Sequence, residues 1–199
     1  IFDETTSFVC KTSSIEKINL TVPYYRKDFQ KMIGKITKDK NSRTLNEMSP
    51  TKGDEIESVN YLTEGIPFIK TSDIQNFSVD YQPDNYCADA IFREKNQDLQ
   101  IGDILFTKDG KIGEVALLEE SSKIVISSGF VVLKPKSDDE RYWVFLLLAS
   151  NYGKIFFSRW TVIASTMPHL RSEFLGKFII PEIDKKLKNK LILELKKKF

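Results

Sequence analysis

Short apolar runs dominate the chain from about Leu45 onward, and glycine, aspartate and serine separate them. The runs are rich in isoleucine and valine and too short for helices, which is typical of buried β-strands. The pattern predicts an α+β fold whose centre is a curled or barrel-like mixed β-sheet. The runs are IPFIK (66–70), IGDILFT (101–107), IGEVALL (112–118), KIVIS (123–127), FVVLKP (130–135) and KFIIPEI (177–183).

Three other segments have helical periodicity. Residues 21–40 place Thr21 as a cap and Pro23 in the first turn of a predicted N-terminal helix. Residues 138–158 begin with acidic side chains and predict a helix whose apolar side covers the sheet. Residues 183–199 predict a lysine-rich helix with one apolar stripe. That stripe consists of Ile183, Leu187, Leu191 and Leu195.

These elements divide the chain into three expected parts. Residues 1–44 form an N-terminal arm and helix, residues 45–182 form the main domain, and residues 183–199 start a further helix. Because the chain begins with Ile1 rather than methionine, we expect it to be a piece of a longer protein.

Residues 105–118, LFTKDGKIGEVALL, predict a β-hairpin. Asp109-Gly110 lies between two apolar runs, and a tight primed turn needs positive φ at its centre. The turn accounts for the glycine but not for Lys108 and Lys111. These lysines are either solvated surface charges or contacts of the loop tip with a negatively charged partner.

The bulk composition is that of an ordinary globular protein. The 199 residues are 41% hydrophobic and 29% charged, and 30 basic against 28 acidic residues give a net charge of +2. This near balance excludes a histone-like protein that wraps DNA over its whole surface. It leaves room for a local basic face, which the net charge cannot reveal.

Candidate metal and membrane features are absent from the sequence. Cys10, Cys87 and the single histidine, His169, have no metal-ligand spacing, so we predict neither a metal site nor a cofactor. Free thiols in a reducing cytoplasm are expected. We find neither a signal peptide nor an apolar run long enough to span a membrane.

Recognisable catalytic motifs are also missing. The sequence contains no P-loop, no GxGxxG at a helix start and no HExxH. The sequence Glu194-Leu195-Lys196 resembles the end of a nuclease motif, but it lies in a lysine-rich helix where both charges are ordinary surface. We therefore expect a protein that binds rather than catalyses.

Three motifs occur in an order that resembles a known family. They are LTEGIPFIKTSDI (62–74), LQIGDILFTKDGKIGEVALL (99–118) and ASTMPHLRSEFLGKFIIPEID (164–184). Together they resemble the target recognition domain of the specificity subunits of type I restriction–modification enzymes, which also occurs as the C-terminal domain of single-chain restriction–methylation enzymes. The C-terminal lysine-rich segment is similar to the start of that family's spacer helix.

The resemblance implies a function and partners. The domain would read one part of a double-stranded DNA site through the major groove, and it would direct an adenine methyltransferase subunit or domain there. A restriction or translocase subunit would be a further partner, and the C-terminal helix could pair two copies. Such a reader needs cations for phosphates and short polar side chains for base edges.

The loops contain candidates for both kinds of contact, each with an ordinary structural alternative. Asp109 either accepts from a cytosine amino group or only favours the turn. Ser165 and Thr166 either face the DNA or cap a short helix beginning near Pro168. Arg171 is the best candidate for guanine or phosphate. The complete set is Lys70, Thr71, Ser72, Lys108, Asp109, Lys111, Ser127, Ser128, Ser165, Thr166, His169 and Arg171.

Two other classes of function compete with DNA recognition. A protein–protein adaptor would work through its terminal helices, would associate tightly through the stripe in residues 183–199 and would not bind DNA in a salt-sensitive way. A small β-rich enzyme is disfavoured because the sequence offers no nucleophile–base or metal set. DNA recognition without catalysis is the leading hypothesis.

Overall fold

The fold combines short strands with helices, as the apolar runs predict. The computed structural model describes residues 31, 32, 34, 42–158, 162–164 and 167–198. Within these residues the strands are β1 Arg43–Thr44, β2 Thr51–Lys52, β3 Ile66–Ile69, β4 Ile74–Gln75, β5 Ser78–Val79, β6 Tyr86–Cys87, β7 Ile104–Thr107, β8 Val115–Leu117, β9 Val125–Ile126, β10 Phe130–Leu133, β11 Val162–Ala164, β12 Met167–His169 and β13 Ile179–Ile180. The helices are α1 Asp89–Lys95, α2 Asp138–Ala149, α3 Asn151–Ser158, α4 Ser172–Leu175 and α5 Lys185–Lys196, with 3-10 turns at Leu45–Met48, Ser58–Asn60 and Thr71–Asp73. The α+β class is confirmed.

Three strands of the central sheet, β7, β8 and β10, are buried on both faces, whereas the edge strand β2 is exposed. The strands of the sheet lie in the order β2-β10-β7-β8 and all pair antiparallel. Side chains alternate between the faces of a strand, so Phe106 packs in the core that contains Trp143 of α2, whereas Leu105 packs in a second core with Ile126. Two covered faces explain why these three strands are apolar rather than alternating between apolar and polar residues.

A second, smaller sheet lies beside the first and has the order β6-β3-β9. Strands β3 and β9 are parallel, with Phe68 opposite Val125, and both residues belong to a third core around Cys87. Residues 127–129 connect β9 to β10 and therefore link the two sheets. The remaining pairs are β1–β13, β4–β5 and β11–β12, and within the described ranges the sheets do not close into a barrel.

The tight primed turn lies elsewhere than the sequence predicts. Strands β4 and β5 are joined by Asn76 and Phe77, whose φ angles of 50° and 68° are those of a two-residue primed turn. Strands β7 and β8 do form the predicted hairpin, but a loop of seven residues, 108–114, connects them. The prediction of a tight turn at Asp109-Gly110 was wrong because this loop is shaped by contacts with distant segments.

The predicted helix over 138–158 forms as two helices. Ser137 caps α2 by accepting a hydrogen bond from the Glu140 backbone N–H at 3.2 Å. Ser150 is extended, with ψ of 169°, and separates α2 from α3. The bend lets Phe156 and Phe157 of α3 enter the same core as α2. Together the two helices cover one face of the central sheet.

Helix α5 packs against α2 through a face that includes Ile192 and one residue of the predicted stripe, Leu195. Ile192 is buried, and the Lys188 ammonium lies 5.3 Å from the centre of the Trp143 ring. Leu187 and Leu191 of the stripe are 49% and 37% exposed. The predicted stripe is therefore divided, because Ile183 and Leu195 pack against the core whereas Leu187 and Leu191 face solvent. The apolar stem of Lys188 covers Trp143 of α2.

Some predictions fall mainly outside the described residues. Of the predicted helix over 21–40, only Lys31, Met32 and Gly34 are described, and these three are helical. Met32 packs against the core that contains α2. No helix in the described parts of the chain has the length and apolar character needed to cross a bilayer.

Candidate nucleic-acid interface

Thr107, at the end of β7, shapes the loop 108–114. Its hydroxyl donates to the Lys111 carbonyl and accepts from the Glu114 backbone N–H at 3.0 Å, and the side chain is completely buried. The Gly113 backbone N–H donates to the Thr107 carbonyl at 3.0 Å. Gly110 and Gly113 have φ of 69° and 92°, which glycine adopts without a steric penalty. The loop is therefore wide and held at its base.

Asp109 joins this loop to β12, sixty residues along the chain. The His169 Nδ1 atom bonds to Asp109 Oδ1, and the two residues also form an isolated β-bridge. The Lys108 ammonium donates to Asp109 Oδ2 at 2.6 Å. Lys108 is buried, with 10% of its side chain exposed, whereas the His169 side chain is 48% exposed. Lys108 is thus not the exposed loop-tip cation that the sequence suggests.

Backbone hydrogen bonds bring a third segment to this point. The Leu170 N–H donates to the Lys108 carbonyl and the Lys108 N–H donates to the Gly129 carbonyl, each at 2.8 Å. A Cβ atom at Gly129 would lie 2.7 Å from Thr71 Cγ2 and 3.5 Å from Ser127 Oγ. A larger residue at position 129 would have to displace the Thr71 side chain. The loops after β3, β7, β9 and β12 therefore converge here, and they bring together Thr71, Lys108, Asp109, Ser127 and His169.

Three predicted residues lie near these loops but direct their side chains to other partners. The Lys70 ammonium lies 4.2 Å from the centre of the Tyr61 ring. Ser72 is exposed and donates to Asp73 Oδ1 at 2.9 Å. The Ser128 hydroxyl donates to Glu55. Each of these contacts holds its own loop, and the role of the three residues in DNA binding stays a prediction.

Two predicted cations remain exposed near the cluster. Lys111 lies at the outer part of the loop 108–114. The Arg171 side chain is 51% exposed, with its guanidinium 4.6 Å from the centre of the Phe174 ring and 3.4 Å from Glu173 Oε1. Long cationic side chains at the edge of a binding surface can reach DNA phosphates. Both residues are therefore still able to make the predicted phosphate contacts.

The segment between β11 and β12 is described only in part. Ser165 and Thr166 lie outside the described residues, so their role in DNA binding stays a prediction. The short helix expected near Pro168 was misplaced, because Met167–His169 is strand β12, paired with Val162–Ala164, and α4 begins at Ser172. The backbone of β12 pairs instead of coiling because it completes this two-stranded ladder.

Sequence reasoning missed Gly129, whose lack of a side chain leaves room for Thr71. A glycine directly before the buried strand β10 was the available signal, since such glycines mark close backbone approaches. Cys87 is a free, buried thiol, and burial raises its pKa. Within the described ranges no group of three or more His, Cys, Asp or Glu side chains could hold a metal ion.

The sequence of residues 37–186 matches the family described as the type I restriction modification DNA specificity domain. The match includes all four converging loops. The chain belongs to this family. No curated protein sequence matches the chain.

Solved structures share the fold of this specificity domain. The HsdS subunit from Thermoanaerobacter tengcongensis is 18% identical, with a TM-score of 0.55 over 79% of this chain and 36% of that chain. The type I restriction-modification S subunit from M. genitalium is 15% identical, with a TM-score of 0.54 over 79% and 39%. The type IIG restriction endonuclease BpuSI is 10% identical, with a TM-score of 0.61 over 87% and 28%. The specificity domain thus spans between about a quarter and two fifths of these chains.

Proposed function

We propose that this chain recognises part of a double-stranded DNA sequence for a restriction–modification system and has no catalytic activity of its own. It would direct an adenine methyltransferase, and a restriction or translocase component, to that site. The observation that carries the proposal is the family match over residues 37–186, which contain the converging loops. Such a protein would work in the cytoplasm, where it meets chromosomal and invading DNA.

The chemistry of the cluster supports this function. Base recognition needs polar groups held rigidly enough to meet the edges of bases, and phosphate binding needs cations that water still reaches. The Lys108–Asp109–His169 group supplies rigid polar atoms, and Lys111 and Arg171 supply exposed positive charge. The predicted DNA-binding residues form the proposed interface, with Lys108 as a structural member.

Two settings agree with this function. In one, residues 45–182 are one recognition domain of a type I specificity subunit and residues 183–199 begin its spacer helix. In the other, they are the specificity domain of a single-chain enzyme, since the type IIG endonuclease has a similar fold over 87% of this chain. A methyltransferase motif encoded in the same gene would favour the second setting.

Methylation mapping tests the proposal directly. We expect deletion of the gene to abolish adenine methylation at one defined sequence motif in the source cell, and reintroduction of the gene to restore it. An unchanged methylome would refute the role.

Salt dependence tests the phosphate contacts. We expect Lys111→Ala combined with Arg171→Ala to lower the salt slope of DNA binding by about two, because each lost phosphate contact removes about one unit. Lys154→Ala is the matched control, since this exposed lysine lies on α3 in the helical layer. Equal slopes for all variants would remove the two cations from the interface.

A specific observation also favours a protein partner for α5. Leu187, Leu191 and Leu193 are exposed on this helix, which suits pairing with another helix or a second copy of the chain. The adaptor function would rest on this surface alone. It predicts that Leu187→Lys with Leu191→Lys abolishes assembly and that the loop variants have no effect on DNA methylation.

A further inference from the structure

Both carboxylate oxygens of Asp109 have partners within the protein. Its Oδ1 atom bonds to His169 Nδ1 and its Oδ2 atom accepts from the Lys108 ammonium at 2.6 Å. Both carboxylate oxygens therefore have charged or polar partners, and 24% of the side chain is exposed. A carboxylate held in this way orients both of its neighbours.

The contact with Asp109 determines which nitrogen of His169 carries the hydrogen. A carboxylate only accepts hydrogen bonds, so Nδ1 must be the donor. In the neutral ring Nε2 is then a hydrogen-bond acceptor. Nearly half of the side chain is exposed, and among the described residues none bonds to Nε2. In its neutral form the ring thus offers one oriented acceptor to a ligand.

The ring is also held in position relative to the central sheet. The Leu170 backbone N–H donates to the Lys108 carbonyl, and the Lys108 backbone N–H donates to the Gly129 carbonyl. These bonds connect the end of β12 to the start of the loop 108–114 and to the segment 127–129. Lys108 balances the charge of Asp109, so the carboxylate does not repel a phosphate backbone. A fixed acceptor beside a neutralised charge is suited to selective hydrogen bonding, because specificity requires that the reading group be oriented before the ligand arrives.

We propose that His169 reads one base pair by accepting a hydrogen bond from the exocyclic amino group of adenine or cytosine in the major groove, and that Asp109 is its positioning residue. Guanine and thymine present only acceptors and a methyl group at that edge, so they cannot satisfy Nε2. The inference rests on the proposed function. It replaces direct reading of cytosine by Asp109 with reading by the histidine that Asp109 orients.

Two substitutions separate reading from structural support. His169→Asn places an amide near the position of Nδ1, so it can still donate to Asp109 but has no acceptor at the position of Nε2. His169→Gln places an amide near the position of Nε2, so it can supply the acceptor but does not bond to Asp109. We would express each variant of the full-length protein with its methyltransferase in a strain without other adenine methylation and map the genome.

We expect His169→Asn to keep the wild-type melting temperature and to relax the motif at one position by about tenfold or more. His169→Gln should retain more discrimination at that position than His169→Asn. A merely structural role predicts the reverse order, with the asparagine variant tolerated and the glutamine variant impaired. That order, or an unchanged motif in both variants, would overturn the inference.

Modified DNA provides a test on the wild-type protein, independent of whether the variants fold. Each adenine or cytosine of the mapped motif is replaced in turn by an analogue that lacks the exocyclic amino group. We expect one position to lose binding by about tenfold in the wild type. No dependence on any amino group would refute reading by His169, whereas a wild type that methylates no defined motif would refute the proposed function itself.

Discussion

Strand β7 and the loop that follows it are consecutive in the chain but are held by different forces. Leu105 and Phe106 of β7 are fully buried, one in each of the two cores that cover the sheet. The loop 108–114 is held by Thr107 at its base and by the Lys108–Asp109–His169 contacts near its start. Apolar burial fixes the strand as part of a layer, whereas polar contacts fix the directions of particular atoms.

Stability and recognition can therefore be altered by separate substitutions in this domain. Removing apolar surface from the strand weakens the whole domain, because the hydrophobic effect scales with buried area and acts on both cores at once. Removing a polar contact from the loop affects the position of a few side chains. Four substitutions test this contrast, beginning with the largest expected effect.

Phe106→Ala should lower the free energy of unfolding by roughly 3–5 kcal/mol, because it leaves a cavity in a tightly packed core. The Phe106 ring lies 4.6 Å from that of Phe157, centre to centre, so the cavity opens between the sheet and α3. Chemical denaturation measures the change. Ile101→Ala is the control, since this side chain is 60% exposed and its loss should change stability by less than about 0.5 kcal/mol. Similar effects of both would contradict the two-sided core.

Lys108→Met should cost about 2 kcal/mol, because it leaves a partly buried carboxylate with one partner fewer. The apolar stem is retained, so the change reports the lost charge rather than lost packing. Lys111→Met is the matched control in the same loop, and its exposed side chain should be removable with little effect on stability. Thermal unfolding compares the melting temperatures of the two variants. Equal values would mean that Lys108 does not stabilise Asp109.

Gly129→Ala should destabilise by about 1 kcal/mol, because the new methyl group would lie 2.7 Å from Thr71 Cγ2. The effect stays small if the Thr71 side chain rotates. Adding Thr71→Ser removes that methyl group, so the double variant should recover most of the loss. A double-mutant cycle measures this coupling, and strict additivity would show that the two loops do not touch.

Glu140→Gln should have the smallest effect, about 0.5–1 kcal/mol at neutral pH, since its partner Arg43 is partly exposed. Burial alone would raise the pKa of Glu140. The Lys136 backbone N–H and the Arg43 guanidinium each donate to a Glu140 carboxylate oxygen at 2.7 Å, and together they lower this pKa below its ordinary value. The stabilisation is therefore present above the ordinary pKa of 4.5 and is lost as the pH falls through the lower folded value. The free energies of unfolding of the wild type and of the variant should converge as the pH is lowered from neutral to acid. A difference that stays constant over this range would contradict the lowered pKa of Glu140.

Much of the framework could be predicted from local pattern. The apolar runs at 66–70, 101–107 and 130–135 contain β3, β7 and β10, because short isoleucine- and valine-rich segments bounded by turn residues favour buried strands. The predictions that were wrong concern features that depend on residues distant in the sequence, which a local pattern does not include. The break at Ser150 and the wide loop after Thr107 are each set by contacts with another element.

For the candidate site, sequence alone supplied the residue types and the loops on which they lie. It determined these because turn formers and charges between apolar runs must lie at the ends of strands. Only the tertiary structure decided that Lys108 is buried beside Asp109, and that His169, sixty positions away, meets the same carboxylate. The physical reason is that strand pairing over long separations brings such groups together, and no periodicity within either segment encodes its partner.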